Sequence, residues 1–355
     1  MNQRGGAEEV LVELRQLFPS APIYTSIAAA DSMDGLGDVD LRTSRLDAVP
    51  FGARHHHLLL PLYPLVWGRT RLHGYDLVVS NKSAFCHGVD TGSTLHVCYC
   101  LTPTRFVWDA PRYLRHEALP PGGRLVLKVL LPWLRAWDRR AAAGVDAFVA
   151  ISTAVRDRIA AVYGRGSEVI HPPVATERFA PGPDGDYHLV LSRLIPYKRI
   201  DLAVAAFNKL GRRLLIVGDG RDRRRLEAMA GPTVEFRGRQ PAEEAARLLG
   251  SCRGLVWPGE EDFGMAPVEA MASGRPVIAR RAGGAVDTVV PGFSGVFFHG
   301  DSPEELAAAV EEADAVDWDR AAIRSHAQLF SRSVFRRRLS AFLEEVMADR
   351  QAGKR

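Results

Sequence analysis

Two glutamates, Glu261 and Glu269, frame a proline within residues 257–272. The run predicts a strand ending near Trp257, a loop, and a helix with Pro267 at its first position, where the missing N–H costs nothing. The unpaired N–H groups of such a helix start form an anion site that suits a diphosphate. Carboxylates in the loop and in the first helical turn accept hydrogen bonds from a sugar or ribose diol. We interpret the run as a ligand site; a chance pair, with one glutamate complementing the helix dipole, is the alternative.

A second cluster follows the first predicted strand of the C-terminal half. Residues 192–199 carry the cations Arg193 and Lys198 at the carboxyl end of that strand. Ligands of open α/β sheets bind outside the carboxyl ends of the strands, so both clusters are expected at one crevice. Fixed cations there would neutralise the charge that develops on a diphosphate leaving group without a metal. The alternative is a solvated basic loop.

Short apolar strands alternate with amphipathic helices in both halves, which predicts parallel sheets covered by helices. The predicted strands are 77–80, 95–99, 147–151, 188–191, 213–217, 254–257 and 276–279. The predicted helices are 155–163, capped by Ser152 or Thr153, then 201–210 and 331–347. A stretch rich in proline and glycine over 171–185 marks the expected domain boundary.

The bulk composition is that of a globular protein with two domains. The chain has 355 residues, too many for one core, of which 46% are hydrophobic and 25% charged. A net charge of +4 favours small anionic ligands or an anionic membrane face and gives no argument for nucleic acid. No apolar run suggests a signal peptide or a membrane span. We expect a cytoplasmic protein whose cysteines are reduced.

These motifs resemble those of glycosyltransferase family 4, the retaining GT-B enzymes that include bacterial mannosyltransferases. The resemblance rests on the E-x7-E pair, the SRL-x-PYKR run, the turn Gly218-Asp219-Gly220 and the segment 171–179, and it covers nearly the whole chain. It implies an α/β GT-B fold, with two Rossmann-like domains whose parallel sheets face across a cleft and a C-terminal helix that crosses back. The implied domains are an acceptor-side domain at 1–176, a nucleotide-sugar domain at 177–330, and a C-terminal helix and tail at 331–355.

The resemblance also assigns roles to individual residues. Arg193 and Lys198 would hold the donor diphosphate, Glu261 would contact the donor sugar, and these three are the implied catalytic residues. Glu269 would bind the ribose hydroxyls. The other implied donor-binding positions are Asp262, Phe263, Gly264, Met265 and Ala266 through their amides, the glycine loop with Gly5 and Gly6, Gly218 of the turn, and Gly238 and Arg239 near the base.

Two departures from the family pattern stand out. The glycine loop begins at Arg4, so the strand that usually precedes it is absent from the sequence, and a sheet without that strand would expose a long edge. Leu101 stands where related sequences often have a histidine, and it cannot hydrogen-bond a sugar. His96 lies on the same strand, either as a substitute or as a histidine with a local partner.

Two further patterns concern partners. Three D-x-D triplets, 38–40, 184–186 and 317–319, follow no buried strand, so we expect no essential metal and no cofactor beyond a nucleotide-sugar co-substrate, GDP-linked as a first guess. Residues 122–140 combine apolar, aromatic and basic side chains, interrupted by Pro132. They fit a membrane surface that carries a lipid-linked acceptor on the inner membrane face, or a core helix.

The expected function is transfer of a hexose, with mannose from GDP-mannose as first guess, to a saccharide or lipid-linked acceptor. The resemblance implies retention of anomeric configuration, with the donor diphosphate helping to deprotonate the acceptor. Two alternatives stay open. One is a nucleotide-sugar-binding protein without turnover, and the other is a sugar-nucleotide 2-epimerase on the same fold.

Overall fold

The computed structural model describes residues 6–28, 39–47, 62–111 and 123–353. The chain divides into two compact units: residues 1–173 together with 335–355 form the first, and 174–334 form the second. The boundaries expected from sequence lay at residues 176 and 330.

The second unit is built on a six-stranded sheet in which every strand pair is parallel. Its strands are β7 (Tyr187–Leu191), β8 (Arg213–Val217), β9 (Val234–Gly238), β10 (Leu255–Trp257), β11 (Val277–Arg280) and β12 (Gly295–Phe298). Their order is β12-β11-β10-β7-β8-β9, the doubly wound arrangement of a Rossmann unit. The helices of the unit are Ile200–Leu210, Arg223–Met229, Ala242–Ser251, Met265–Ala272, Ala285–Thr288, Pro303–Ala315 and Arg320–Ala327.

The described part of the first unit holds two separate parallel sheets. β1 (Ile23–Thr25) pairs with β2 (Leu41–Thr43), and a four-stranded sheet contains β3 (Leu77–Lys82), β4 (Leu95–Cys100), β5 (Ala147–Ala150) and β6 (Glu168–Val169). The described helices of this unit are Gly6–Leu17, Tyr63–Trp67, Arg105–Trp108, Gly123–Ala143 and Thr153–Tyr163. The last helix, Arg332–Gln351, contributes its residues from Phe335 onward, and the Phe335 ring packs edge-on against Tyr99 at 5.7 Å.

The predicted fold class is confirmed: both units are Rossmann-like α/β layers with parallel sheets. Every strand predicted from apolar runs is present within a residue or two, because fully buried parallel strands read as continuous hydrophobic segments. Ser152 caps the helix that follows β5, its hydroxyl accepting from the Val155 N–H at 3.2 Å. One detail was wrong: Pro132 does not interrupt helix Gly123–Ala143, which runs through it.

A buried polar network fixes the loop after β4 against helix Gly123–Ala143. The fully buried Asp138 carboxylate accepts hydrogen bonds from Thr104 Oγ1 at 3.1 Å, Trp108 Nε1 at 2.6 Å and Tyr163 Oη at 2.7 Å. Lys82, also fully buried, donates to Thr104 Oγ1 at 3.2 Å. A carboxylate so far from water is tolerated only because its oxygens are hydrogen-bonded.

We expect Asp138→Ala to destabilise the first unit by about 3 kcal/mol, because it leaves several buried donors without an acceptor. The measurement is urea denaturation followed by the fluorescence of Trp108, which contacts the carboxylate. Asp157→Ala is the matched control, since that side chain is 69% exposed and should change stability by less than about 0.5 kcal/mol. Equal effects of the two substitutions would contradict the structural role of the network.

Candidate functional site

The two clusters singled out in the sequence meet at the point where the second sheet reverses its strand order. Chain connections lead from β7 outward to β8 and β9 on one side, and from β10 to β11 and β12 on the other, so β7 and β10 flank the switch point. Residues 192–199 follow β7, and residues 258–264 follow β10. In open α/β sheets a crevice opens at this position, outside the carboxyl ends of the two strands.

Lys198 and Glu261 form an ion pair across the switch point, Nζ to Oε1. Lys198 ends a short 3-10 turn, Pro196–Lys198, and is buried, whereas the Glu261 side chain is 20% exposed. The ammonium group also lies 5.1 Å from the ring centre of Trp257, the last residue of β10. A carboxylate and an aromatic face thus both contact the ammonium group, and each interacts favourably with a cation.

Arg193 lies on the same side of the switch point but is exposed. Its backbone follows β7 directly, and the next residue, Leu194, is buried and anchored by its N–H to the Asp219 carbonyl at 2.9 Å. No ion pair or hydrogen bond joins the Arg193 side chain to any residue that the structure describes. The position therefore combines a fixed backbone with a guanidinium that is available to a ligand.

The helix after β10 begins earlier than predicted. It spans Met265–Ala272 and is preceded by Gly264, so Pro267 is its third residue and not its first. The position remains compatible with proline because the first four N–H groups of a helix have no partner within it. Glu269 consequently lies in the second turn, not the first, and is partly exposed. The amides of residues 264–266 stand at the helix start, as an anion site requires.

The predicted glycine turn after β8 closes tightly over the loop after β7. Gly218 has φ 136°, and a β-carbon there would lie 1.8 Å from the Ser192 carbonyl oxygen, so only glycine fits. Its N–H donates to the Gly238 carbonyl at 2.8 Å, which joins the ends of β8 and β9. Arg239, the next residue, is exposed. The predicted positions in these three loops are thus neighbours along one edge of the sheet.

Sequence reasoning missed the glycine pair that holds the Glu261 loop. Gly283 and Gly284 follow β11, and the Gly284 N–H donates to the Glu261 carbonyl at 2.9 Å. A β-carbon on Gly283 would lie 2.0 Å from the same carbonyl oxygen, and one on Gly284 would lie 2.2 Å from Phe263 Cα. Phe263 is buried beside Phe330, with ring centres 6.0 Å apart. A glycine pair directly after a predicted strand was the available signal.

The N-terminal candidates belong to the first unit. Gly5 lies outside the described residues, and Gly6 is the first residue of helix Gly6–Leu17. Their predicted role toward a phosphate stays a prediction.

Other candidates have structural partners. His96 Nε2 lies 2.9 Å from Ser80 Oγ, and burial lowers the pKa of the ring to about 4, so the histidine is neutral and locally satisfied. Leu101 follows β4 and is half-buried.

Asp184 pairs with Arg320 and Arg275, which lower its pKa to about 2, and Asp319 caps helix Arg320–Ala327. These two aspartates therefore have structural partners, and the expectation that the three D-x-D triplets bind no metal stays a prediction.

Family models match both halves of the chain. Residues 4–178 match the model of Glycosyltransferase Family 4, and residues 175–328 match the model of Glycosyl transferases group 1. Among curated proteins, a GDP-mannose-dependent alpha-(1-6)-phosphatidylinositol monomannoside mannosyltransferase of Mycolicibacterium smegmatis is 33% identical over 51% of this chain and 56% of its own length. A GDP-mannose-dependent alpha-mannosyltransferase of Mycobacterium tuberculosis is 33% identical over 58% of this chain and 56% of its own length.

The chain thus spans about half the length of these relatives. Solved structures resemble this chain in fold over nearly its whole length. The Anabaena protein Alr3699/HepE in complex with UDP superimposes with a TM-score of 0.73 at 18% identity, over 97% of this chain and 98% of its own. A sucrose-phosphate synthase from Thermosynechococcus elongatus gives a TM-score of 0.70 at 21% identity, over 96% and 92%.

The close approach at Gly283 yields a prediction with a matched control. Gly283→Ala and Gly292→Ala place a β-carbon at similar φ values, 60° and 73°, but only the first meets a neighbour within 4 Å. We expect Gly292→Ala to cost about 1 kcal/mol of backbone strain, and Gly283→Ala about 2 kcal/mol more because the Glu261 loop must shift. Thermal unfolding of the two variants measures the difference. Equal losses would show that the loop is not clamped.

Proposed function

The chain belongs to glycosyltransferase family 4, and from this premise we propose that it transfers a hexose from a nucleotide sugar whose diphosphate binds at the switch point of the second unit. One observation carries the proposal: two cations that follow β7 and a helix start that follows β10 flank the same crevice, and Lys198 contacts Glu261 across it. Cations and helix-start amides are complementary to an anion such as a diphosphate.

In the proposed reaction the glycosidic bond to the diphosphate breaks while negative charge grows on the leaving oxygen. Arg193 and Lys198 stabilise that charge, and they do so more strongly in the transition state than in the ground state, which lowers the barrier. Glu261 takes the opposite role, since its carboxylate supports positive charge on the sugar ring. The ion pair between Glu261 and Lys198 places these two opposite charges side by side at the crevice.

We propose that the configuration at the anomeric carbon is retained and that the diphosphate of the donor accepts the proton of the acceptor hydroxyl on the same face. No protein base is then required. Nor is a metal, because the two cations occupy the place where a divalent ion would otherwise neutralise the diphosphate. Rates that are unchanged by EDTA would support this part of the proposal, and rates restored by Mg²⁺ after chelation would contradict it.

GDP-mannose is the donor that we propose first. Curated relatives that are 33% identical carry GDP-mannose in their names, whereas the Anabaena structure, at 18% identity, was solved with UDP. Thermal-shift measurements with GDP, UDP, ADP and dTDP sugars separate the candidates, because stabilisation grows with ligand concentration relative to the dissociation constant. The largest shift with a UDP sugar would overturn the choice of base but not of reaction.

Substitutions in the cluster should separate binding from turnover. We expect Arg193→Ala to lower kcat/KM about 100-fold, and the double variant with Lys198→Ala to abolish transfer.

Glu269→Ala should raise the Kd of the nucleotide about tenfold through the loss of hydrogen bonds to a charged group. Arg247→Ala is the control, since Arg247 is exposed and forms an ion pair with Glu244 on its own helix. Donor binding without turnover in the wild-type protein would favour a nucleotide-sugar-binding protein instead.

We propose further that the acceptor is met at a membrane surface. Leu125, Val126, Val129 and Trp133 form an exposed stripe on helix Gly123–Ala143, each between 42% and 70% exposed. Lys128 is exposed beside this stripe. The opposite side of the helix packs into the core through Leu134. The same helix therefore has a core-facing side and an exposed apolar side, which are the two alternatives that the sequence pattern left open. None of the helices in the described ranges is both long and apolar enough to cross a bilayer.

A lipid-binding assay tests the membrane surface. Replacing Leu125, Val129 and Trp133 together by glutamine should lower affinity for vesicles that contain anionic lipid about tenfold, because the apolar stripe no longer enters the interface. Glutamine at Met229, Val316 and Leu329, exposed apolar positions of the second unit, is the matched control. Binding that is unaffected by the first set, or that does not weaken with added salt, would contradict the proposal.

A further inference from the structure

Arg199 has a backbone conformation that residues with a side chain disfavour. Its φ is 54° and its ψ is 36°, in the left-handed region, and among the described residues it is the only one other than glycine with a positive φ. The β-carbon lies close to the following carbonyl oxygen in this conformation, so glycine is the usual occupant. Strained backbone persists where its surroundings enforce it, and it is frequent at functional sites. Arg199 directly follows Lys198, one of the two cations proposed to hold the donor.

This one residue joins the turn that carries Lys198 to the helix that follows. Arg199 ends the 3-10 turn Pro196–Lys198, with its N–H donating to the Pro196 carbonyl at 3.1 Å, and it directly precedes helix Ile200–Leu210. The helix is fixed in the core of the second unit, where Ile200 is buried. Because the helix is held, a change in the φ angle of Arg199 would move the turn, and Lys198 with it.

The backbone of Lys198 lies close against the loop after β10. A β-carbon on Gly259 would lie 2.8 Å from the Lys198 carbonyl oxygen and 2.9 Å from its Cα. The Lys198 side chain is buried and reaches Glu261 and the ring of Trp257. These contacts therefore depend on one arrangement of the turn, which a relaxed Arg199 backbone would disrupt.

The Arg199 side chain makes contacts that can offset the backbone strain. Its Nη1 donates to Asp301 Oδ1 at 2.7 Å, and its Nε lies 3.4 Å from Asp201 Oδ1. Arg280 Nη1 donates to the same Asp301 oxygen at 2.6 Å. Partial desolvation raises the pKa of Asp301, but Arg280 and Arg199 outweigh it and leave this pKa below its usual value.

Asp301 connects segments that belong to three different strands. Arg199 lies in the loop after β7, Arg280 is the last residue of β11, and Asp301 itself follows β12. All three positions lie at the carboxyl edge of the sheet, where the proposed donor site is. An isolated surface ion pair contributes little to stability, whereas a carboxylate shared by two guanidinium groups at short distances forms a small network.

Direct binding of the donor by Arg199 is the alternative role. Its Nη1 and Nε both face carboxylates, and its side chain is only 28% exposed. Arg193, by contrast, is exposed and forms no ion pair with any residue in the described ranges. The contacts of Arg199 therefore favour a role in positioning over a role in binding.

We propose that Arg199 is a positioning residue of the transfer reaction: its bond to Asp301 holds the left-handed backbone that keeps the Lys198 ammonium group beside Glu261. Asp301 is the anchor, and Arg280 fixes that anchor from a second side. The inference rests on the proposed function, in which Lys198 stabilises the leaving diphosphate. It adds that the position of this cation is set by a residue that touches no substrate.

Two substitutions of Arg199 in the full chain separate backbone conformation from side-chain contact. Arg199→Ala loses the anchor and keeps the strain, so kcat should fall about tenfold because a misplaced cation stabilises the transition state less. Arg199→Gly also loses the anchor, but glycine adopts the left-handed conformation without strain, so kcat should return to within about threefold of the wild-type value. The KM of the donor should change less than about twofold in both, since Arg193 and the helix-start amides still bind the diphosphate.

Substitution of the anchor tests the same contact from its other end. Asp301→Ala should lower kcat about tenfold in the wild-type background and have no further effect in the Arg199→Gly background, as expected for residues that act through one contact. Asp186→Ala is the matched control, because Asp186 accepts from Arg213 at 2.8 Å but precedes β7 at the opposite edge of the sheet. Its kcat should equal that of the wild type. All rates are measured with the nucleotide sugar that gives the largest thermal shift.

Hydrogen exchange reports the backbone without relying on turnover. The Leu202 N–H donates to the Arg199 carbonyl at 3.0 Å, and its exchange should be about tenfold faster in Arg199→Ala and Asp301→Ala but not in Asp186→Ala. Wild-type turnover with equal kcat in Arg199→Ala and Arg199→Gly, or with unchanged exchange in Arg199→Ala and Asp301→Ala, would overturn the positioning role and leave the proposed function intact. A wild-type chain that turns over none of the nucleotide sugars would overturn the proposed function, and the positioning role with it.

Discussion

The reversal of strand order between β7 and β10 is the constraint on which the second unit depends. Strands that lead away from each other leave their following loops without a covering crossover, so a crevice opens there whatever the side chains are. What this sequence adds is the charge at that crevice. Lys198 and Glu261 come from opposite sides of it and form an ion pair in which the lysine is buried and the glutamate is largely buried.

Close contacts between glycines and neighbouring backbone fix the loops that border this crevice. The Glu261 loop is held from outside by the pair after β11, and the loop after β7 is held by the turn at Gly218. In both places backbone meets backbone at distances that exclude a β-carbon. The side chains that we propose to contact the donor can therefore be long and polar, because the backbone beneath them fixes their positions.

Sequence reasoning recovered the strands and the fold class, because both depend on local signals such as apolar runs. It also placed the two charged clusters after strands that are neighbours in the sheet. The roles of these clusters toward a ligand stay predictions. It placed the helix start two residues too late at Pro267, since proline fits any of the first positions. It missed Gly283 and Gly284 because their importance arises from the Glu261 loop, which precedes the intervening helix and strand in the chain. It also could not foresee that Asp138 would be buried, since its donors come from two distant segments, residues 104–108 and Tyr163.

The two units differ in how completely their sheets are continuous, and this difference follows from one physical rule. Buried backbone groups must be paired, and in the second unit all six strands lie in one hydrogen-bonded order. In the described first unit the order breaks between β1 and β3, at the place where an apolar helix face still covers the gap. Leu11 and Leu14 of that helix line the cavity between the two sheets.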